Sequence, residues 1–270
     1  MARDKKYWQK RFGNPDRKPE PYYHHLDLRP IDDLDDEGFA YLMAGVKGVN
    51  MLDLNETGIT NESIRLISGL EYVHELRAKG CGLLDNGCIP DLDKINSLRF
   101  LHVRSTGITI DGLLQLSSLT KLETLMFSAE DLASIKEKLL QLKLILPGCE
   151  LVIDAKRYYF NATELFIHAL KKQPYSYRLK IRNQPLDAAW STWLTQPGDN
   201  HIEAEAQGPY SVNEIEWVEI DPVETKGKVK LVAEKEIDHA AAVIKLLEYL
   251  SFPFMVSGGI ISAYLLNKEI

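Results

Sequence analysis

Val49-Asn-Met-Leu52-Asp-Leu54-Asn-Glu-Thr57-Gly-Ile59-Thr60 is echoed further along the chain by Leu98-Arg-Phe-Leu101-His-Val103-Arg-Ser-Thr106-Gly-Ile108-Thr109. An internal repeat of this kind decides the architecture before any single element is assigned. Aligned on the spacing L-x-x-L-x-L, the surrounding sequence yields five rungs: Tyr23, Leu26, Leu28; Val49, Leu52, Leu54; Val73, Leu76, Ala78; Leu98, Leu101, Val103; Leu122, Leu125, Phe127. The middle anchors fall at 26, 52, 76, 101 and 125, a period of 24 to 26 residues. Ile59, Leu83 and Ile108 follow five residues after the last anchor of the three central rungs, and amphipathic segments such as Ser63–Leu70 and Gly112–Leu119 close the units. Each unit therefore reads as a short strand, a tight turn and a helix.

That pattern resembles the leucine-rich repeat over roughly residues 23 to 153. The Thr-Gly-Ile-Thr phrase is most similar to the ribonuclease-inhibitor and cysteine-containing types. In those, the residue three places after the last anchor is a small polar or cysteine side chain that bonds the backbone where the ladder turns. Thr57, Cys81 and Thr106 hold that place, whereas the first rung departs from it with Pro30 and Ile31. The resemblance implies an α/β fold: a short solenoid with a parallel sheet on its concave face and helices on its convex face. Such solenoids generally bind on the concave face.

Alternate strand residues point to opposite faces, so the anchors pack inward and the residues between them face out. Three outward columns result: His25, Met51, Glu75, Phe100, Thr124; then Asp27, Asp53, Arg77, His102, Met126; then Arg29, Asn55, Lys79, Arg104, Ser128. Apolar side chains among charges suit a protein interface. Met51, Asp53, Glu75, Arg77, Lys79, Phe100, His102, Arg104 and Met126 are accordingly the candidate partner-binding residues of this region. The third column is basic in three of its five members; it admits a phosphate or acidic peptide, or is ordinary scattered surface charge.

Outside the repeats, residues 1–22 form a basic, proline-bearing segment. A charged run is ordinarily solvated; the alternative is a first helix through Tyr7, Trp8 and Phe12 that covers the open end of the stack. After the last rung, Asp131 is placed to cap a helix through Leu132, Ile135, Leu139, Leu142 and Ile145. Pro147-Gly148 stops it, and Cys149–Ile153 is a closing strand. The repeat domain thus covers 23–154.

Residues 155–270 lose the period and read as a small α+β domain. Helices are expected at Asn161–Leu170, at Leu186–Leu194 with Trp190 and Trp193, and after Asp238; strands at Tyr177–Ile181, Glu214–Pro222 and Val229–Val232. Gly258-Gly259 supplies the positive φ angles of a two-residue hairpin turn. Asn161-Ala-Thr-Glu-Leu-Phe together with Glu216-Trp-Val-Glu-Ile-Asp-Pro222 resembles a bacterial domain of unknown function over about residues 158 to 267. That resemblance implies a bacterial origin and transfers no site. From Asp199 to Glu224 stand eight acids and no Lys or Arg. They form either a solvated sheet face or, through Glu216 and Glu219, an acidic docking surface for a basic protein.

Composition narrows the function classes. The net charge of −7 disfavours nonspecific nucleic-acid binding and leaves room for a basic partner. Three cysteines, an odd number, fit a reducing cytoplasm better than a disulfide framework. The most apolar stretch, Phe252–Leu266, is too short and too interrupted for a membrane span. No metal spacing, nucleophile elbow or phosphate loop occurs, so no catalytic residue, metal or cofactor is expected. The expected function is a protein–protein interaction module, in a specialised version an immunity or inhibitor protein against a basic toxin enzyme. The alternative is an enzyme or ligand-binding domain in 158–270 whose substrate the repeats select.

Overall fold

The middle anchors of the repeats become one continuous column of leucines. Leu26 pairs with Leu52, Leu52 with Leu76, Leu76 with Leu101, Leu101 with Leu125 and Leu125 with Leu151. They lie in parallel strands β1 (Tyr22–Asp27), β2 (Gly48–Asp53), β3 (Tyr72–Arg77), β4 (Phe100–His102), β5 (Thr124–Phe127) and β6 (Glu150–Ile153). An antiparallel pair of residues, β7 (Lys156–Arg157), completes the sheet in the order of the sequence. Strand β6, expected as the closing strand of the stack, is a sixth parallel rung. From Leu52 onward the column is buried, and each such leucine contributes about 1.5–3 kcal/mol of apolar transfer.

The computed structural model describes residues 5–12, 20–186, 188–198, 200–204, 207–226 and 235–266. It divides into two compact units, Met1–Tyr158 and Tyr159–Ile270. In the first, a helix forms within the basic segment and short helices link the strands: α1 (Lys5–Phe12), α2 (Asp36–Met43), α3 (Asn61–Ile67), α4 (Ile89–Leu92), α5 (Ile110–Leu113) and α6 (Lys136–Ile145). The architecture is a leucine-rich-repeat-like region with a parallel sheet, followed by an antiparallel α+β unit.

Turn chemistry explains the repeated phrase. Thr57 and Thr106 donate their hydroxyls to the carbonyls of Leu54 and Val103, each at 2.7 Å, and the Cys81 thiol reaches the Leu54 carbonyl at 3.0 Å. The glycine after each threonine donates its amide to the preceding repeat, Gly58 to the Leu34 carbonyl and Gly107 to the Leu84 carbonyl. A Cβ at Gly107 would lie 2.9 Å from that carbonyl oxygen, so a larger residue would push the repeats apart.

The third repeat corrects the register of the sequence reading. Leu83 is 62% exposed, whereas Leu84 is fully buried and holds the place of Ile59 and Ile108. One extra residue in the turn shifts the buried position by one. Asp85 then starts the short 3-10 turn at Asn86–Cys88, accepting the Gly87 amide at 2.7 Å.

Further corrections concern the ends of the stack. In the basic segment, residues 5–12 are not a merely solvated run: Trp8 is 5% exposed, stacks on Tyr41, and lies against Gly38 of the first repeat, where a Cβ would meet it at 3.2 Å. Asp131 does not cap the last helix. Its carboxylate accepts the Ala133 amide at 3.0 Å in a preceding turn, Leu132 is exposed, and α6 begins only at Lys136.

The second unit contains α7 (Ala162–Leu170), β8 (Ser176–Ile181), β9 (Thr195–Gly198), β10 (His201–Ala204), β11 (Gln207–Ser211), β12 (Ile215–Asp221), β13 (Val223–Lys226), β14 (Lys235–Asp238), α8 (Ala240–Leu250), β15 (Phe254–Ser257) and β16 (Ile260–Ala263). Its main sheet runs β15-β16-β12-β8, antiparallel throughout. Asn161 caps α7 through the amides of Thr163 and Glu164, and Tyr177 of β8 donates to the Leu170 carbonyl at 2.8 Å. Gly258 and Gly259 have φ of 58° and 83°, as the hairpin requires. The helix expected at Leu186–Leu194 is not formed: Ser191 instead exchanges backbone hydrogen bonds with Tyr177 as an isolated bridge. The strand expected at Val229–Val232 lies outside the described residues.

Candidate functional site

The parallel register aligns the outward columns across neighbouring strands. Met51 stands opposite Glu75, Glu75 opposite Phe100 and Phe100 opposite Thr124; Asp53 stands opposite Arg77, Arg77 opposite His102 and His102 opposite Met126. Lys79 and Arg104 follow just beyond the strand ends, joined through the Gly80 amide, which donates to the Arg104 carbonyl at 2.9 Å. Met51, Glu75, Arg77, Lys79, Phe100, His102, Arg104 and Met126 are all half-buried. The structure therefore brings these candidates onto one face.

Asp53 is the exception and corrects the expected exposed column. It is 2% exposed, accepts the Asn55 amide at 3.1 Å and lies 3.4 Å from the Arg29 guanidinium. Its role is to hold the strand end, because a buried carboxylate needs fixed partners.

Phe100 is the apolar centre of the face. The Arg77 guanidinium lies 5.4 Å from its ring centroid, and the His102 ring meets it edge-on at 6.3 Å. Arg77 also pairs with Glu75 at 3.1 Å. Burial, followed by the charges of Arg104, Lys79 and Arg77, lowers the pKa of His102, which favours the neutral imidazole. His102 Nε2 and Arg77 Nε are buried without a hydrogen-bond partner in the protein.

Beside this face opens a groove of about 460 Å³, lined by His24, Asn50, Met51, His74, Glu75, Arg99, Phe100, Glu123 and Thr124. Five of these, at 24, 50, 74, 99 and 123, form a column absent from the sequence-based candidates. They precede the first outward column by one residue, so the same period carries the signal. Several are linked: Asn50 to His24 at 3.0 Å, and Arg99 to Glu123 at 3.1 Å.

Glu216 and Glu219 lie in the second unit and are not part of a free acidic face. Glu219 is 8% exposed and pairs with Arg178 at 2.5 Å, while Glu216 lies 3.5 Å from Lys180. Trp190 covers the Arg178 guanidinium at 4.5 Å and Trp217 lies 5.6 Å from the Lys180 ammonium. Glu214 accepts the Ser211 amide, Asp221 accepts the Val223 amide, and Glu224 lies 3.2 Å from His239. Asp199 and Glu205 lie outside the described residues. A stretch with eight acids and no Lys or Arg in sequence is thus divided, and for Glu216 and Glu219 the strand neighbour β8 supplies the cations.

Cys81, Cys88 and Cys149 are free and buried, and burial raises their thiol pKa values, to about 12 for Cys88 and Cys149. Such thiols are inert packing groups. Among the described residues no three His, Cys, Asp or Glu side chains gather in a metal-binding arrangement, and no helix is long and apolar enough to cross a membrane.

Residues 163–265 match the profile of a family of unknown function (DUF6678). The chain is also similar to mitochondrial ATP synthase subunit s of Bos taurus, with 26% identity over 140 residues, 50% of this chain. It spans about 64% of that relative's length. The second unit is thus similar to a family without assigned chemistry.

Proposed function

We propose that the chain is a protein–protein interaction module that docks a partner on the concave face of its repeats and works by binding, without catalysis of its own. The observation that carries this reading is Phe100, a half-buried aromatic side chain flanked by Arg77, His102 and the groove. Aromatic and arginine side chains supply most of the energy at protein interfaces. A sheet built on a fixed column of leucines presents them with little ordering cost. In the same reading the repeats are of the ribonuclease-inhibitor or cysteine-containing type, and the protein is bacterial and works in a reducing cytoplasm, where its three buried thiols stay free. An inhibitor or immunity role through residues 199–224 has less support, because Glu214, Glu216, Glu219, Asp221 and Glu224 have partners in their own unit.

Affinity capture with the full-length chain tests the docking face. Phe100→Asp combined with Met126→Asp is expected to abolish recovery of the host protein retained by the wild type. Undiminished recovery by the folded double variant would place the docking surface elsewhere.

A further inference from the structure

The chemistry of the third and fourth repeats constrains what the concave face receives; the inference rests on the docking reading above. Four nitrogen-bearing side chains converge there: Arg77, Lys79, His102 and Arg104. Arg77 and His102 are register partners on adjacent strands, and the Gly80 amide ties the Lys79 and Arg104 rungs together.

The local acids do not neutralise this cluster. Glu75 takes one terminal nitrogen of Arg77 at 3.1 Å. Lys79 reaches Glu56 at 3.1 Å, but the Glu56 side chain is 71% exposed; a pair so solvated contributes little and is readily exchanged. No ion pair or side-chain hydrogen bond is formed by Arg104 among the described residues. Arg77 Nε and His102 Nε2 stay unpartnered within the protein, although buried polar atoms are ordinarily satisfied. Burial, and after it the charges of Arg104, Lys79 and Arg77, lower the pKa of His102.

The surroundings select among anions. A long polyanion such as RNA needs an extended run of cations, and the flanking Arg29, Arg99 and Arg157 are already taken by Asp27, Glu123 and Glu150. A short segment with one or two carboxylates needs no such run. Phe100 and Met126 stand next to the cations and offer apolar contact, which a peptide can use and a free phosphate cannot.

We propose that this patch binds an acidic peptide segment of a protein partner, with Arg104 and Lys79 taking its carboxylates and Phe100 and Met126 receiving an adjoining apolar side chain.

Fluorescence anisotropy on the full-length chain tests this with three labelled probes: a peptide alternating glutamate with leucine, its counterpart with lysine for glutamate, and a single-stranded RNA of mixed sequence. The acidic peptide is expected to bind, more weakly as salt rises. Arg104→Gln and Lys79→Gln, each checked for an unchanged thermal midpoint, are each expected to lower its affinity about tenfold. Lys245→Gln, an exposed position in α8, is expected to leave it unchanged. Absence of binding, equal binding of the lysine peptide or the RNA, or an equal loss in Lys245→Gln would overturn the proposal. Host-protein capture through Phe100 and Met126 is read separately. If it persists while the acidic peptide fails, the charge assignment falls and the docking face stands.

Discussion

Trp8→Ala probes whether the basic segment is part of the fold. The side chain is 5% exposed, stacks against Phe12 and Tyr41, and lies where a Cβ on Gly38 would touch it at 3.2 Å. Burying an indole removes about 150–250 Å² from water, about 4–6 kcal/mol at 25 cal/mol per Å² as an upper bound. The realised loss is smaller. An eight-residue helix is marginal by itself, so it can detach and let water reach α2 without leaving a cavity. We expect a loss of about 3 kcal/mol, which at an m-value of about 2 kcal/mol per M moves the urea midpoint down by about 1.5 M. Because the two units can melt separately, hydrogen exchange at Phe39 and Leu52 should follow the first unit alongside circular dichroism. Exchange should quicken at Phe39 before Leu101, since an uncapped solenoid opens from its end. Tyr7→Ala, at a 40% exposed position, is the control and should cost less than about 0.5 kcal/mol. A Trp8→Ala midpoint within about 0.2 M of wild type would refute the capping role.

Two further outcomes follow from particular contacts. Leu84→Ala should cost about 3 kcal/mol in chemical denaturation and Leu83→Ala less than about 0.5 kcal/mol; the reverse order would mean that the turn of the third repeat is misplaced by one residue. His102 has a folded pKa below its unfolded value, so the unfolded chain binds more protons as pH falls. Stability at this residue is therefore complete above about pH 6.5 and is lost as pH falls from there through the folded pKa. His102→Gln should flatten the decline of the thermal midpoint between about pH 7 and 5; an unchanged slope would show that the imidazole protonates freely in the folded state.

The repeat was legible because it is a local periodicity with a simple physical meaning. A strand residue's face is set by its parity, and a leucine recurring at 26, 52, 76, 101 and 125 can be satisfied only by stacking. The turn threonines and Cys81 were equally local, since each bonds a carbonyl three residues back or one in the preceding turn. The hairpin at Gly258-Gly259 followed from backbone sterics alone. Where an insertion kept the composition but changed the phase, as at Leu83-Leu84, spacing chose the wrong leucine, because only packing against neighbouring repeats reveals which side chain is enclosed.

Charge was the property that sequence order misrepresented. Eight acids in a row of 26 residues suggested one acidic surface, yet β8 lies beside β12 and places Arg178 and Lys180 against Glu219 and Glu216. Asp53 was read as exposed from its parity, but Arg29 and the Asn55 amide enclose it. The sequence by itself determined the repeat, its strand faces and the columns of candidate residues, since these depend on contacts between near neighbours in a regular period. Tertiary structure alone decided which of those residues are neutralised and which stay unpartnered. Electrostatic pairing acts through space between residues whose separation along the chain carries no periodic signal.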